Sequence, residues 1–267
     1  MSKLRHTLVM LTIPAVLWGC GPEDLTEAPG QNGASSPGAE SLASTSAALV
    51  ASNEFTWSQG NLAKPMGGTD GRSCFLTRVG GDLQGGGERV DIFQSGGSWY
   101  LGGASQQTGI HGAARCVEAE GDTTEYQWTQ SMAYPVYMGT ATNRVCYLVG
   151  IAGKFNGTGE WVHAYVSGGS WYLNGNSSQS SVRARARCID VSPSGTDPAY
   201  TNEVAWYQGS PASYLMATPS TRACGLTFVR GKFEGSGEYV RIYNDSGYWY
   251  LSGSSNQTGV AARARCF

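Results

Sequence analysis

Residues able to bind or react occur in this chain as three matching sets. Each set holds one tyrosine, one glutamine and one arginine at the same spacing: Tyr100, Gln107 and Arg115; Tyr172, Gln179 and Arg187; Tyr250, Gln257 and Arg265. Sugars are bound by this combination, because a pyranose ring stacks on an aromatic face while its hydroxyls meet amide and guanidinium groups. We take these residues as candidate ligand-binding residues. A tyrosine half-buried in a strand for structural reasons is the alternative.

Six of the seven cysteines form pairs 42 positions apart: Cys74 and Cys116, Cys146 and Cys188, Cys224 and Cys266. Between the paired cysteines the three copies align without a gap, and 17 of 43 columns hold one residue throughout, so the chain is one module written three times. Equal spacing favours a disulfide within each copy, which would stabilise a small module by about 4 kcal/mol. A zinc site needs four ligands, and each copy offers two cysteines and at most one histidine. No metal is therefore expected.

One glutamate is also invariant, at Glu88, Glu160 and Glu238. Glu88 shares strand parity with Val90, so a regular strand would point its carboxylate into the core, where a charge needs a partner. The sequence offers Arg72 or Arg115 as the counter-ion. A ligand contact and general acid–base catalysis are the alternatives.

No catalytic constellation recurs in the copies. Beyond residue 19 the histidines are His111 and His163, which fall in different columns, so no Ser-His-acid arrangement occurs twice. Phosphate-cradling loops and nucleophile elbows are also missing. A carboxylate pair assembled from distant residues, as in glycosidases, stays open. The sequence therefore favours a protein without catalytic residues or cofactors.

The elements that position these residues are predicted to be strands. No window shows an apolar period of 3.6 residues, whereas 38 glycines with frequent Trp, Tyr and Val favour short strands and tight turns. In Trp99-Tyr100-Leu101, alternation places Trp and Leu on one face and Tyr on the other, so Tyr lies on the outer surface if Trp and Leu fill the core. The strands predicted in the first copy are Phe55–Gln59, Cys74–Val79, Arg89–Phe93, Ser98–Leu101 and Ile110–Cys116.

The predicted fold class is all-β, with three tandem disulfide-stapled modules of sandwich or barrel type at residues 54–117, 125–189 and 203–267. The connecting segments are short enough for two arrangements. The modules could hang as separate beads or close around a pseudo-threefold axis, and the sequence leaves both open.

The segment before the modules predicts export. Residues 1–19 have a basic start and an apolar run, the form of a secretion signal. Leu17-Trp18-Gly19-Cys20 resembles the lipobox of bacterial lipoproteins, which implies acylation of Cys20, and Gly21 after it implies the outer membrane. An ordinary cleaved signal is the alternative. Residues 20–53 are rich in Gly, Ser, Ala and Pro, so they are predicted to form a flexible tether to the membrane.

Charge argues against nucleic acid as a partner. Removal of residues 1–19 takes away Lys3 and Arg5, leaving 16 Lys and Arg against 20 Asp and Glu, a net charge of about −4. The last predicted strand nevertheless carries a row of arginines, at Arg183, Arg185 and Arg187 in the second copy and at Arg263 and Arg265 in the third, with only Arg115 in the first. A solvated or salt-bridged strand face is one interpretation, and an acidic ligand such as an anionic glycan is the other.

The Cys, G-x-G-E and W-Y-L positions are similar to those of Cys- and Gly-rich repeats in secreted and lipid-anchored proteins of soil bacteria, of a myxobacterial type. The resemblance covers Glu54 to Phe267 and implies location and architecture, but no ligand. The expectation is a lipid-anchored cell-surface protein that binds glycans multivalently. A structural or protein-adhesion component of the envelope and a hydrolase with an unrecognised site are the alternatives.

Overall fold

The computed structural model describes residues 49–179, 181–191, 200–217 and 222–267. All regular secondary structure in these ranges is β-strand. These described residues belong to one compact unit. The prediction of an all-β fold is confirmed. The proposed signal, Cys20 and the tether up to residue 48 lie outside the described residues.

Each repeat has six strands. The first repeat contains β1 (Phe55–Ser58), β2 (Lys64–Gly68), β3 (Ser73–Gly80), β4 (Arg89–Ser95), β5 (Ser98–Ala104) and β6 (His111–Val117). The second contains β7 (Tyr126–Thr129), β8 (Val136–Thr140), β9 (Arg144–Ala152), β10 (Trp161–Ser167), β11 (Ser170–Asn176) and β12 (Arg183–Asp190). The third contains β13 (Val204–Tyr207), β14 (Ser213–Ala217), β15 (Cys224–Arg230), β16 (Tyr239–Asp245), β17 (Tyr248–Ser254) and β18 (Ala261–Cys266).

The sequence predicted five of these six strands and missed the second. In the first repeat this strand reads KPMGG, and proline and glycine are depleted in strands. Its pairing with β5 shifts register beside Met66, whose side chain is buried. The strand is therefore held by this methionine in the core and by its neighbour, more than by its own propensity.

Each sheet combines strands from two repeats. The first sheet has the order β1-β6-β3-β16-β17-β14, the second β13-β18-β15-β10-β11-β8, and the third β2-β5-β4-β9-β12-β7. Every repeat thus gives its first, third and sixth strands to one sheet and the other three to a different sheet. The first repeat shares one sheet with the third, the third shares another with the second, and the second shares the last with the first. The three repeats therefore close into a ring. The pseudo-threefold arrangement is confirmed, and separate beads are excluded.

Aromatic rings fill the middle of this ring. Phe75, Tyr147 and Phe267 form a triangle with ring centres 5.3 to 5.7 Å apart. Phe75 and Tyr147 each follow the first cysteine of a repeat, but the third repeat has Gly225 there. A Cβ on Gly225 would lie 3.2 Å from Tyr147 and 3.3 Å from Phe75. Phe267 supplies the third ring from a different position of its repeat. The axis is therefore filled by three aromatic rings, although only two of them are related by the repeat.

Backbone hydrogen bonds also join the three repeats to one another. The N–H of Phe155 donates to the carbonyl of Leu83, Leu83 donates to Phe233, and Phe233 donates to Phe155, at 2.7 to 2.8 Å. All three side chains are fully buried. This closed cycle of hydrogen bonds satisfies backbone groups that no sheet pairs, and it ties the three repeats to one another.

The disulfides join Cys74 to Cys116, Cys146 to Cys188 and Cys224 to Cys266. In each pair the cysteines lie directly opposite on the third and sixth strands of one repeat. Structural disulfides persist in oxidising compartments, so the three bonds indicate an extracytoplasmic protein.

Candidate functional site

The fifth strand of each repeat turns its tyrosine outward, as alternation predicted. The side chains of Trp99, Trp171 and Trp249 and of Leu101, Leu173 and Leu251 are buried. Tyr100, Tyr172 and Tyr250 are half-buried on the opposite face. The remaining burial of these tyrosines comes from other aromatic rings on the same face of each sheet.

The second sheet carries a continuous row of rings, which we call its aromatic track. Ring centres lie 5.1 Å apart between Phe228 and His163, 5.1 Å between His163 and Tyr165, 5.9 Å between Tyr165 and Tyr172, and 5.8 Å between Tyr172 and Tyr137. The row crosses four adjacent strands drawn from two repeats. Tyr137 at its end is 55% exposed. At about 4.8 Å per strand, the track extends about 15 Å, the length of several sugar rings.

A charged cluster stands at the inner end of this track. Glu203 accepts hydrogen bonds from His163 at 3.0 Å, Thr227 at 2.6 Å and Arg263 at 3.1 Å. Burial opposes ionisation of this carboxyl, but the hydrogen bonds outweigh it and lower the pKa of Glu203 to about 2. Arg263 also lies 5.0 Å over the ring of Phe228. Thr227 is buried and Glu203 is largely buried, so Arg263 is the member of this cluster most exposed beside the aromatic surface.

The first sheet carries an equivalent aromatic track. Tyr243 stacks on Tyr250 at 5.6 Å, Tyr250 meets Tyr214 at 6.3 Å, and Tyr214 meets Tyr248 at 6.0 Å. Tyr214 and Tyr248 are exposed. Sequence reasoning singled out Tyr250 alone from this group, because none of the other positions holds the same residue in all three copies.

The third sheet has a shorter track and more charge. Phe93 stacks on Tyr100 at 5.6 Å, and Phe93 also lines a surface cavity of about 470 Å³. In this cavity Asp91 bonds Arg185 at 2.8 Å and Arg89 at 2.9 Å, and Arg185 bonds Glu125 at 2.8 Å. The salt-bridged interpretation of the arginine row fits Arg185 here, as it fits Arg263 on the second sheet.

The structure separates the candidate arginines from the candidate tyrosines. The guanidinium carbon of Arg115 lies 5.1 Å from the Trp249 ring, and the corresponding distances are 5.1 Å from Arg187 to Trp99 and 5.5 Å from Arg265 to Trp171. In each pair the tryptophan belongs to another repeat. Burial lowers the pKa of Arg115 and of Arg265. These arginines hold neighbouring repeats together, and Tyr100 and Arg115 lie on different sheets.

The candidate glutamines lie in loops. The backbone N–H of Gln107 donates to the Ser105 hydroxyl at 2.8 Å, and the same turn recurs at Gln179 with Ser177 and at Gln257 with Ser255. These loops follow the fifth strand, beyond the tyrosines. The serine and glutamine that are identical in all three repeats thus belong to a turn that each repeat forms.

The invariant glutamates are buried, as strand parity predicted. Glu88 and Glu160 are 2% exposed and Glu238 is 4% exposed. Glu88 accepts a hydrogen bond from the backbone N–H of Gln106 at 3.3 Å, and a Cβ at Gly85 would overlap its carboxylate. Neither expected counter-ion reaches it, since Arg72 bonds Glu118 and Arg115 donates to the carbonyl of Ser52. The G-x-G-E pattern therefore supports a loop.

Within the described ranges, no group of three or more His, Cys, Asp and Glu side chains is arranged to hold a metal ion. The same ranges contain no helix long and apolar enough to cross a membrane. No protein-family model matches the chain, and neither characterised proteins nor solved structures gave a significant match. The aromatic tracks are thus the main indication of function.

Proposed function

We propose that this protein binds glycans outside the cytoplasm through the aromatic tracks on the outer faces of its sheets. The observation that carries the proposal is the track of the second sheet, a row of five rings beside Glu203, Thr227 and Arg263. Aromatic faces stack on the apolar faces of sugars, and charged hydrogen-bonding groups fix the orientation of their hydroxyls.

Exposure of the rings supports a binding role over a purely structural one. Aromatic side chains exposed singly are normal, whereas a contiguous group of them is typical of a binding surface. Here Tyr137, Tyr214 and Tyr248 are 55%, 54% and 44% exposed, and each ends or borders a track. Three outward faces on one compact unit also allow one molecule to bind three sites on a polysaccharide, which multiplies weak affinities.

The binding test uses the full-length exported protein against soluble and insoluble glycans, peptidoglycan included. We expect Tyr172→Ala to weaken binding about tenfold, because stacking contributes on the order of 1–2 kcal/mol. Tyr134→Ala is the matched control, since Tyr134 is 81% exposed and lies outside the tracks. Equal loss in both variants, or binding of proteins and no glycan, would refute the proposal.

We further propose that the protein is anchored to the outer membrane through Cys20. The lipobox-like segment and the extracytoplasmic disulfides support this location. Cys20→Ser should move the protein from the membrane fraction to the soluble fraction, because each buried CH₂ of an acyl chain contributes about 0.8 kcal/mol to anchoring. Cys20→Ser protein that keeps the membrane fractionation and the mass of the wild type would disprove acylation.

A further inference from the structure

Two arginines face each other where the first and third repeats meet. Arg78 on β3 and Arg241 on β16 are direct partners across an antiparallel pair in the first sheet. Like charges in directly opposite positions destabilise a sheet. The arrangement therefore costs folding energy, unless something negative lies between the two side chains.

The equivalent junctions of the other sheets carry no such pair. The second sheet places His163 opposite Phe228, and the third places Asp91 opposite Gly150. Arg185 and Arg89 neutralise Asp91 in the third sheet. The repeat pattern thus does not require two arginines at this position, and the first sheet alone brings them together.

Neither guanidinium has an acidic partner within the part of the chain that the structure describes. The Nε atoms of Arg78 and Arg241 are buried without a hydrogen-bond partner. The nearby carboxylate of Glu54 accepts its hydrogen bond from Thr77, at 2.9 Å. Burial lowers the pKa of Arg78, and the charge of Arg241 lowers it further, while Tyr239 and Glu54 act in the opposite direction. Both arginines would gain from an anion.

The two arginines adjoin the aromatic track of the same sheet. The guanidinium carbon of Arg78 lies 4.4 Å from the ring centre of Tyr239, and that of Arg241 lies 4.5 Å from the ring centre of Tyr243. Tyr243 continues the row to Tyr250. Stacking on tyrosine holds each guanidinium in place and uses only its flat face, so the Nη atoms at its edge are the groups that would receive an oxyanion.

We propose that the first sheet binds an acidic saccharide, with the anionic group of one sugar held between Arg78 and Arg241 and the neighbouring sugar stacked on Tyr243 and Tyr250. This inference rests on the proposed function and names the ligand class of one of its faces. Guanidinium groups bind carboxylate and sulfate alike, so the ligand is a uronate-containing or sulfated chain.

The test compares three oligosaccharides of equal length: an oligogalacturonate, its methyl ester, and a sulfated galactan fragment. Titration calorimetry with the full-length protein should give at least tenfold tighter binding of one or both acidic oligomers than of the ester, because a hydrogen bond to a charged group is lost with the ester. Whichever acidic oligomer binds more tightly identifies the anionic group. Raising the salt concentration should reduce the difference.

The variants Arg78→Phe and Arg241→His introduce the residues that other repeats hold at these positions, Phe228 and His163. Each should reduce affinity for the acidic oligomer about tenfold and leave affinity for the ester unchanged. Lys64→Gln removes one positive charge from an exposed position on the third sheet and should leave all affinities unchanged.

Stability gives a second measurement. Because Arg241→His removes a repulsive pair, the free protein should unfold at an equal or higher temperature than the wild type. Equal binding of acid and ester, or a marked loss of stability in Arg241→His, would overturn the inference and leave glycan binding by the other tracks intact. Binding of none of the three oligomers would also overturn it. The absence of binding to any glycan in the wider screen would refute the proposed function itself.

Discussion

At the scale of single residues, the invariant positions divide by role. Trp99, Arg115 and Glu88 are invariant because each repeat needs them for packing, since Arg115 lies on a tryptophan and Glu88 supports a loop. The residues that shape the outer faces, such as Asp91 and its equivalents His163 and Arg241, differ between repeats. Apart from the tyrosines of the tracks, Tyr100, Tyr172 and Tyr250, invariance within this chain therefore marks the scaffold, and variation marks the surfaces that could select ligands.

The Glu203 cluster predicts how stability depends on pH. The pKa of Glu203 is about 2 in the folded protein, below its ordinary value of 4.5, so the folded state binds fewer protons between these values. Its contribution of about 3 kcal/mol is therefore present above pH 4.5 and is lost as the pH falls towards 2. Glu203→Gln should lower the free energy of unfolding at pH 7 and flatten its decline below pH 4.5.

Urea unfolding at pH 7, 4.5 and 3 measures this dependence. Thr227→Val is a partial control, since it removes one of the three donors and should weaken the decline without abolishing it. Parallel curves for the wild type and Glu203→Gln would show that another group titrates instead.

At the scale of elements, the aromatic triangle predicts where the fold is most sensitive. Phe267 is 2% exposed and packs on both Phe75 and Tyr147. Phe267→Ala should lower the free energy of unfolding by about 3–5 kcal/mol, because the axis has no other side chain to fill the space. Phe93→Ala, which removes a half-buried ring on the third sheet, should cost clearly less. Similar losses in chemical denaturation of the two variants would contradict the packing argument.

Strand type and tyrosine orientation could be predicted because alternation is a local property of the backbone. Trp99 and Tyr100 follow it without help from the rest of the fold. The partners of Arg115 could not be predicted in the same way. Its tryptophan belongs to another repeat, and a local pattern does not say that β6 and β5 enter different sheets. The inner end of the second sheet's track was missed for the same reason, since Phe228 and His163 come from repeats that meet only in the closed ring.

At the scale of the whole molecule, the shared sheets predict a single unfolding unit. A repeat cannot unfold alone without removing strands from two sheets, so calorimetry should record one transition for residues 44–267. Trp99→Ala should lower the free energy of unfolding by about 3–5 kcal/mol, and all three repeats should still unfold together in one transition. Two separable transitions in this variant would show that the repeats are energetically independent.

The pairing of β3 with β16 joins segments that lie far apart in the chain, Gly80 beside Tyr239. During synthesis the end of β3 that pairs with β16, Arg78 to Gly80, therefore stays unpaired until the last repeat has emerged. Such an edge is open to mispairing with other chains in the meantime. The order of synthesis therefore exposes this edge of the first repeat, although the finished protein pairs it within the first sheet.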